Sequence, residues 1–213
     1  HHLGGDNYES WPQAAERVVR SVMQPYLPEL VERTMKLVIE RKFIPGGRYL
    51  YASGRKSPMV NNCFLFSCQE DTRQEWGRIA DKSINALMCG GGVGVVYSRL
   101  RAEDSMIGGL GGKSTGSCAL MKMVNENGRY IRQGGSRRSA IWAGLHWNHL
   151  DIFKFIEMKD WNDSIKRCRE EDFNFPAPMD GTNVSVILDD LFFQAYGDPK
   201  HALHDLACNV YWT

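Results

Sequence analysis

The sequence lacks a charge imbalance: 26 basic and 25 acidic residues leave a net charge of +1. No field of one sign therefore argues for a nucleic-acid or membrane-surface partner. It also lacks any run of about 18 apolar residues, the length that a membrane-crossing helix needs. No basic start leads into an apolar stretch, so no signal peptide is expected. The six cysteines at 63, 68, 89, 118, 168 and 208 then read as thiols of a cytoplasmic protein, not as a disulfide frame. No repeat and no low-complexity stretch is present. With 43% hydrophobic residues over 213 positions, the chain is rich enough in apolar residues for a packed core and is not a disordered one.

Several familiar chemistries are missing too. Cys63 and Cys68 are spaced C-x4-C, which is neither a thioredoxin motif nor a zinc knuckle. His146-x-x-His149 and His201-x-x-His204 have no cysteine or carboxylate arranged to complete a zinc set, so no metal is expected. No hydrolase nucleophile elbow occurs. The glycines of 90–94 fail G-x-G-x-x-G, because the sixth position from Gly92 is Tyr97. Gly112-Lys113-Ser114-Thr115 fails as a phosphate loop, because the position five residues earlier is Ile107.

What is there is an alternating pattern. Ser10-Trp11-Pro12 opens a helix with Ala15, Val18, Val19, Val22 and Met23 at helical spacing. Pro25 and Pro28 end it, and Leu30, Val31, Met35, Val38 and Ile39 share the face of a second helix. Pro45-Gly46-Gly47 breaks the chain. The spacing then predicts buried strands at Cys63–Phe66, Val93–Tyr97, Ala140–Leu145 and Asn183–Leu188. Asp71-Thr72-Arg73-Gln74 resembles a capping box headed by Asp71 and starts a helix after the first strand, further helices begin near Ser117 and Leu150, and another follows the last strand with Leu191. The 108–116 stretch reads as a glycine-rich loop. This order implies an α/β fold with largely parallel strands. A helical segment over 1–42 and an α/β domain over 43–213 are the expected parts. The chain opens His1-His2 and stops at Thr213 in an apolar run, so a fragment is expected.

Three local features invite chemistry, each with a plain structural alternative. Thr115-Gly116-Ser117 at a helix start offers donors to a phosphate, or serves as a tight turn. Gln133-Gly134-Gly135-Ser136-Arg137-Arg138 offers guanidinium groups to phosphate or base, or forms a solvated basic turn. Cys63, where a turn enters a strand, is a reactive thiol if the strand end opens, or an inert core residue.

Taken in order, Pro45-Gly46-Gly47-Arg48, Asn62-Cys63-Phe64, Gly90-Gly91-Gly92-Val93-Gly94, Ser98-Arg99-Leu100-Arg101, Ser114-Thr115-Gly116, Gln133-Gly134-Gly135-Ser136-Arg137-Arg138 and His149-x-Asp151-Ile152 are more specific than any one alone. Together they resemble the large catalytic subunit of ribonucleotide reductases, most nearly the class II, adenosylcobalamin-dependent enzymes. The resemblance spans about residues 43–195. It implies N-terminal helices followed by the first half of a ten-stranded α/β barrel of parallel strands. It implies that Cys63 is one of two cysteines that reduce the substrate. Asn62, Gly90, Gly91, Gly92, Thr115, Gly116, Ser117 and Arg137 would line the substrate side. Glu70 or Asp71, with Arg99, Arg101, Ser136 and Arg138, would meet a deoxynucleoside triphosphate effector. The segments 99–112 and 134–140 resemble the two specificity loops. The implied partners are a ribonucleoside di- or triphosphate, a thioredoxin- or glutaredoxin-type reductant, the rest of the catalytic chain, and a second copy in a homodimer. The family's radical cysteine, its catalytic glutamate and asparagine, and most of any cobalamin site lie outside these residues. A non-catalytic nucleotide-binding module and an unrelated phosphate-binding α/β enzyme are the alternatives.

Overall fold

The computed structural model describes residues 8–56, 58–109, 111–133 and 137–213. They form two compact units, His1–Asn62 and Cys63–Thr213.

In the first unit, α1 (Trp11–Met23) starts where the Gln13 side chain accepts from the Ser10 amide at 2.8 Å. A 3-10 turn (Pro28–Leu30) leads into α2 (Val31–Ile39). Ala15, Val19, Val31 and Val38 pack between the two helices, and the Trp11 indole donates to the carbonyls of Val38 and Ile39 at 3.1 Å. The sequence predicts a boundary after residue 42, whereas the units part at 62–63. The reason is α3 (Gly47–Ala52), a short helix hidden behind the Pro45-Gly46-Gly47 break. Arg17 of α1 donates to the carbonyls of Leu50 and Ser53, which ties this segment to the helices before it.

The second unit is built on a sheet of four parallel strands: β1 (Cys63–Ser67), β2 (Gly92–Val96), β7 (Ile141–His146) and β8 (Thr182–Ile187), in the order β1-β2-β7-β8. Among the described residues this sheet has one strand fewer than a five-stranded half-barrel, with β1 and β8 at its edges. The crossovers carry α4 (Arg73–Met88), α5 (Ser117–Tyr130), α6 (Ile152–Glu157) and α7 (Asp163–Glu171). The helices α8 (Asp190–Gly197) and α9 (His204–Trp212) follow β8. Two antiparallel pairs complete the unit: β3 (Glu103–Ile107) with β4 (Gly112–Thr115), and β5 (Arg132–Gln133) with β6 (Arg137–Arg138). Successive residues of a strand face opposite sides. Val93, Val95, Ile141, Ala143 and Leu145 therefore enter one core with Ile79 and Leu87 of α4 and Leu120 and Val124 of α5. On the other face, the Trp142 ring lies over Gly144, where an added Cβ would stand 2.3 Å from it.

Three local expectations change. The first strand is not buried throughout: Phe64 and Phe66 pack against the core beside Val93 and Val95, whereas Leu65 alternates to the opposite face, in register with Gly94, and is 71% exposed. Within the 108–116 stretch, Gly112–Thr115 is not loop but the second strand of the β3–β4 hairpin. The helix cap is Thr72, not Asp71: its hydroxyl accepts from the Glu75 amide at 3.1 Å. Glu75 in turn accepts from the Gln69 amide at 2.6 Å, outside the helix, so the reciprocal half of a capping box is displaced to the preceding turn.

Candidate functional site

At the amino ends of the strands, Cys63 is the first residue of β1, exposed, and paired with Gly92, the first residue of β2. A Cβ built on Gly92 would lie 3.6 Å from Cys63 Sγ and 3.5 Å from the Ala140 carbonyl. The missing side chain thus leaves the thiol open on that side. Asn62 precedes it in the chain and is exposed. Gly90 and Gly91 differ from expectation. Their amides donate to the carbonyls of Leu87 and Ala86 at 2.9 and 3.0 Å, closing the end of α4. A Cβ on Gly91 would stand 2.5 Å from the Phe64 ring. Both glycines are buried, and these amides are committed to the helix end instead of facing a ligand.

Of the other thiols, burial pushes Cys68 up to about 12, helped by the nearby Glu75 carboxylate. Burial, with Asp151 next, also raises Cys118. Both are buried and suit packing, not thiolate chemistry.

A second cluster gathers beyond the carboxyl ends of β1 and β2. Arg101 forms an ion pair with Asp71 and also donates to the Met106 carbonyl at 3.2 Å. Arg99 is exposed and donates to the Gln69 carbonyl at 3.1 Å. Glu70 lies between these two contacts in the chain and is exposed. The Ser98 hydroxyl accepts from the His146 amide at 3.0 Å, and His149 Nε2 bonds the Leu100 carbonyl at 2.7 Å. Four of the proposed effector residues, Glu70, Asp71, Arg99 and Arg101, therefore share one end of the sheet.

Thr115, Gly116 and Ser117 belong to this second end, not to the neighbourhood of Cys63. Thr115 pairs with Glu103 in the hairpin, and Ser117 bonds Asp151, which follows β7. Five residues of β2 separate the two ends, about 13 Å at ~3.3 Å per residue. Ser117 is fully buried, and its amide and hydroxyl both donate to Asp151 at 3.0 and 2.8 Å. Neither is available to a phosphate. Ser136, with Gly134 and Gly135, lies outside the described residues. Arg137 and Arg138 form β6, after α5 and before β7. Asp151 is the residue that the motifs contained without a role: its place in His149-x-Asp151 was legible, but not its partners.

Among the described residues no group of three His, Cys, Asp or Glu side chains converges on a common point. No helix there is long and apolar enough to cross a membrane.

Residues 61–207 match the family described as "Ribonucleotide reductase, barrel domain". The chain is 33% identical over 151 residues to the "Ribonucleoside-diphosphate reductase large chain" of Cryptosporidium parvum, covering 70% of this chain and 18% of that protein. It is 31% identical over 127 residues to the large subunit of Dictyostelium discoideum, covering 59% and 15%. It is 27% identical over 163 residues to a "Vitamin B12-dependent ribonucleoside-diphosphate reductase" of Thermoplasma acidophilum, covering 76% and 19%. The chain thus spans less than a fifth of the length of these relatives.

Proposed function

Because this chain belongs to the ribonucleotide reductase family, we propose that it is the part of such an enzyme that carries one substrate-reducing thiol and a nucleotide-effector site. The observation that carries the reading is the exposed Cys63 thiol at the amino edge of the sheet, with Gly92 beside it. In the proposed reaction, the ribonucleotide loses its 2′ hydroxyl as water and gains a hydrogen at that carbon. The two electrons and two protons come from two thiols, Cys63 and a second cysteine outside this chain, which close a disulfide. A thioredoxin- or glutaredoxin-type dithiol then reduces that disulfide by exchange. The names of the relatives favour a ribonucleoside diphosphate as substrate. Asn62, Gly92 and Arg137 keep a proposed role toward it.

The carboxyl-end cluster is the proposed effector site. Guanidinium groups suit the charge and geometry of a triphosphate, and Glu70 or Asp71 suits a ribose hydroxyl. A radical is needed to start the reaction. Adenosylcobalamin as its source rests on the likeness to class II enzymes and on the name of the Thermoplasma relative. No residue of this chain is assigned to hold it, and no step here passes through it.

The test is Cys63→Ser in the full-length protein. Serine keeps the volume and a hydrogen-bonding group but forms no disulfide. The expected result is a normally folded protein that makes no deoxynucleotide over repeated turnovers. Sustained deoxynucleotide production would show that Cys63 is a packing residue.

A further inference from the structure

Asp151 is 6% exposed, and none of the roles above uses it. One carboxylate oxygen accepts from the Glu103 amide at 3.0 Å, and the other from the Ser117 amide and hydroxyl at 3.0 and 2.8 Å. Glu103 is the first residue of β3 and pairs with Thr115, the last residue of β4. The two oxygens therefore hold the two feet of one hairpin. Gly116 fits between them at φ +80°: a Cβ there would stand 2.7 Å from the Glu103 nitrogen and 2.9 Å from Asp151 Oδ2. Lys154 pairs with the Glu103 side chain, so Glu103 is held by main chain and side chain alike.

Asp151 is itself held in place. Its amide donates to His149 Nδ1 at 3.0 Å, which puts the ring proton on Nε2, facing the Leu100 carbonyl. The far end of the hairpin is open around its glycines. A Cβ on Gly108, Gly109 or Gly111 would meet nothing within 4 Å.

We propose that Asp151 is the positioning residue of this hairpin, fixing its base so that a deoxynucleoside triphosphate meets one arrangement of Arg101 and the adjoining strands. The proposal rests on the effector reading above. A hairpin whose base is already ordered has less freedom to lose on binding. Amides bonded to a carboxylate make strong, directional contacts, and removing the carboxylate leaves buried donors without an acceptor.

The test is titration calorimetry on the full-length protein with deoxythymidine triphosphate and, separately, a ribonucleoside diphosphate. Wild type is compared with Asp151→Ala, Asp151→Asn and Arg101→Ala. Hydrogen exchange at the Glu103 and Ser117 amides reports whether the clamp has opened. For Asp151→Ala the effector Kd is expected to rise about tenfold, the scale of one bond to a charged group. The substrate Kd stays as in wild type. Asp151→Asn, which keeps one acceptor oxygen, falls between. Should Asp151→Ala not fold, Asp151→Asn and Ser117→Ala are expected to shift the effector Kd in the same direction.

Faster exchange at both amides with an unchanged effector Kd, while Arg101→Ala weakens the effector, overturns the positioning role and leaves the effector site standing. Equal weakening of effector and substrate also overturns it, because that is the mark of general loosening. An effector Kd unmoved by Arg101→Ala overturns the effector reading, and the proposal with it.

Discussion

Cys63 faces Gly92 across the first rung of the β1–β2 ladder, with the sulfur 3.6 Å from where a Cβ on residue 92 would stand. The openness of the thiol on that side is thus a property of residue 92. Gly92→Val places two methyl groups near the sulfur in a residue that strands accept well. The expected outcome is slower modification of Cys63 by a thiol reagent in the folded protein, read by mass spectrometry of the labelled peptides. Cys68, buried and pushed up to about 12, serves as the internal reference and labels only after denaturation. Unchanged labelling of Cys63 in Gly92→Val would place its open side elsewhere.

Two neighbouring glycines should respond differently to the same methyl group. On Gly91 it falls 2.5 Å from the Phe64 ring and 3.3 Å from the Ala86 carbonyl, so Gly91→Ala is expected to lose about 1–3 kcal/mol through overpacking. On Gly92 its nearest neighbours are at 3.5 Å and beyond, ordinary contact distances, so Gly92→Ala stays close to wild type. Urea denaturation of the two variants separates these outcomes. Equal stability would mean that the 90–92 turn does not pack as described.

Acid should weaken the turn that carries Asp71. Hydrogen bonding from Arg78 is the main cause that holds the Glu75 carboxyl at about 2, against an ordinary value of 4.5, with the Gln69 amide adding to it. A carboxyl depressed by folding stabilises the folded state fully above its unfolded value. That contribution is lost as the pH falls from about 4.5 through about 2. Glu75→Gln is therefore expected to be less stable than wild type at neutral pH, with the gap closing across that window. Thr72→Ala, which removes the helix cap, should cost about 1 kcal/mol at every pH. Denaturation curves over a pH series check both, and a gap between Glu75→Gln and wild type that does not change with pH would rule out the ionic account.

Much of the architecture was legible in the residues. Apolar spacing marked α1, α2, α4 and α6, because burial on one face imposes a period on the sequence; a glycine-rich stretch marked the start of α5, and short apolar runs marked all four strands of the parallel sheet. α7 escaped notice because none of its residues is buried, so no apolar stripe announces it. The β3–β4 hairpin escaped because its strands are short and its glycines look like loop in any one-dimensional reading.

The candidate site divides in the same way. Order and spacing are properties of the chain, so the family order of Cys63, the 90–92 glycines, the 99–101 arginines and His149-x-Asp151 can be read from residues alone. Which of them meet depends on the path of the chain in space. A strand–helix–strand crossover sends alternate loops to opposite ends of a parallel sheet, so Thr115–Ser117 joined Asp151 and the hairpin while Cys63 stayed with Gly92 at the other end. Donors that a motif offers to a ligand, such as the Ser117 amide and hydroxyl, proved occupied because a residue 34 positions away folds back to accept them.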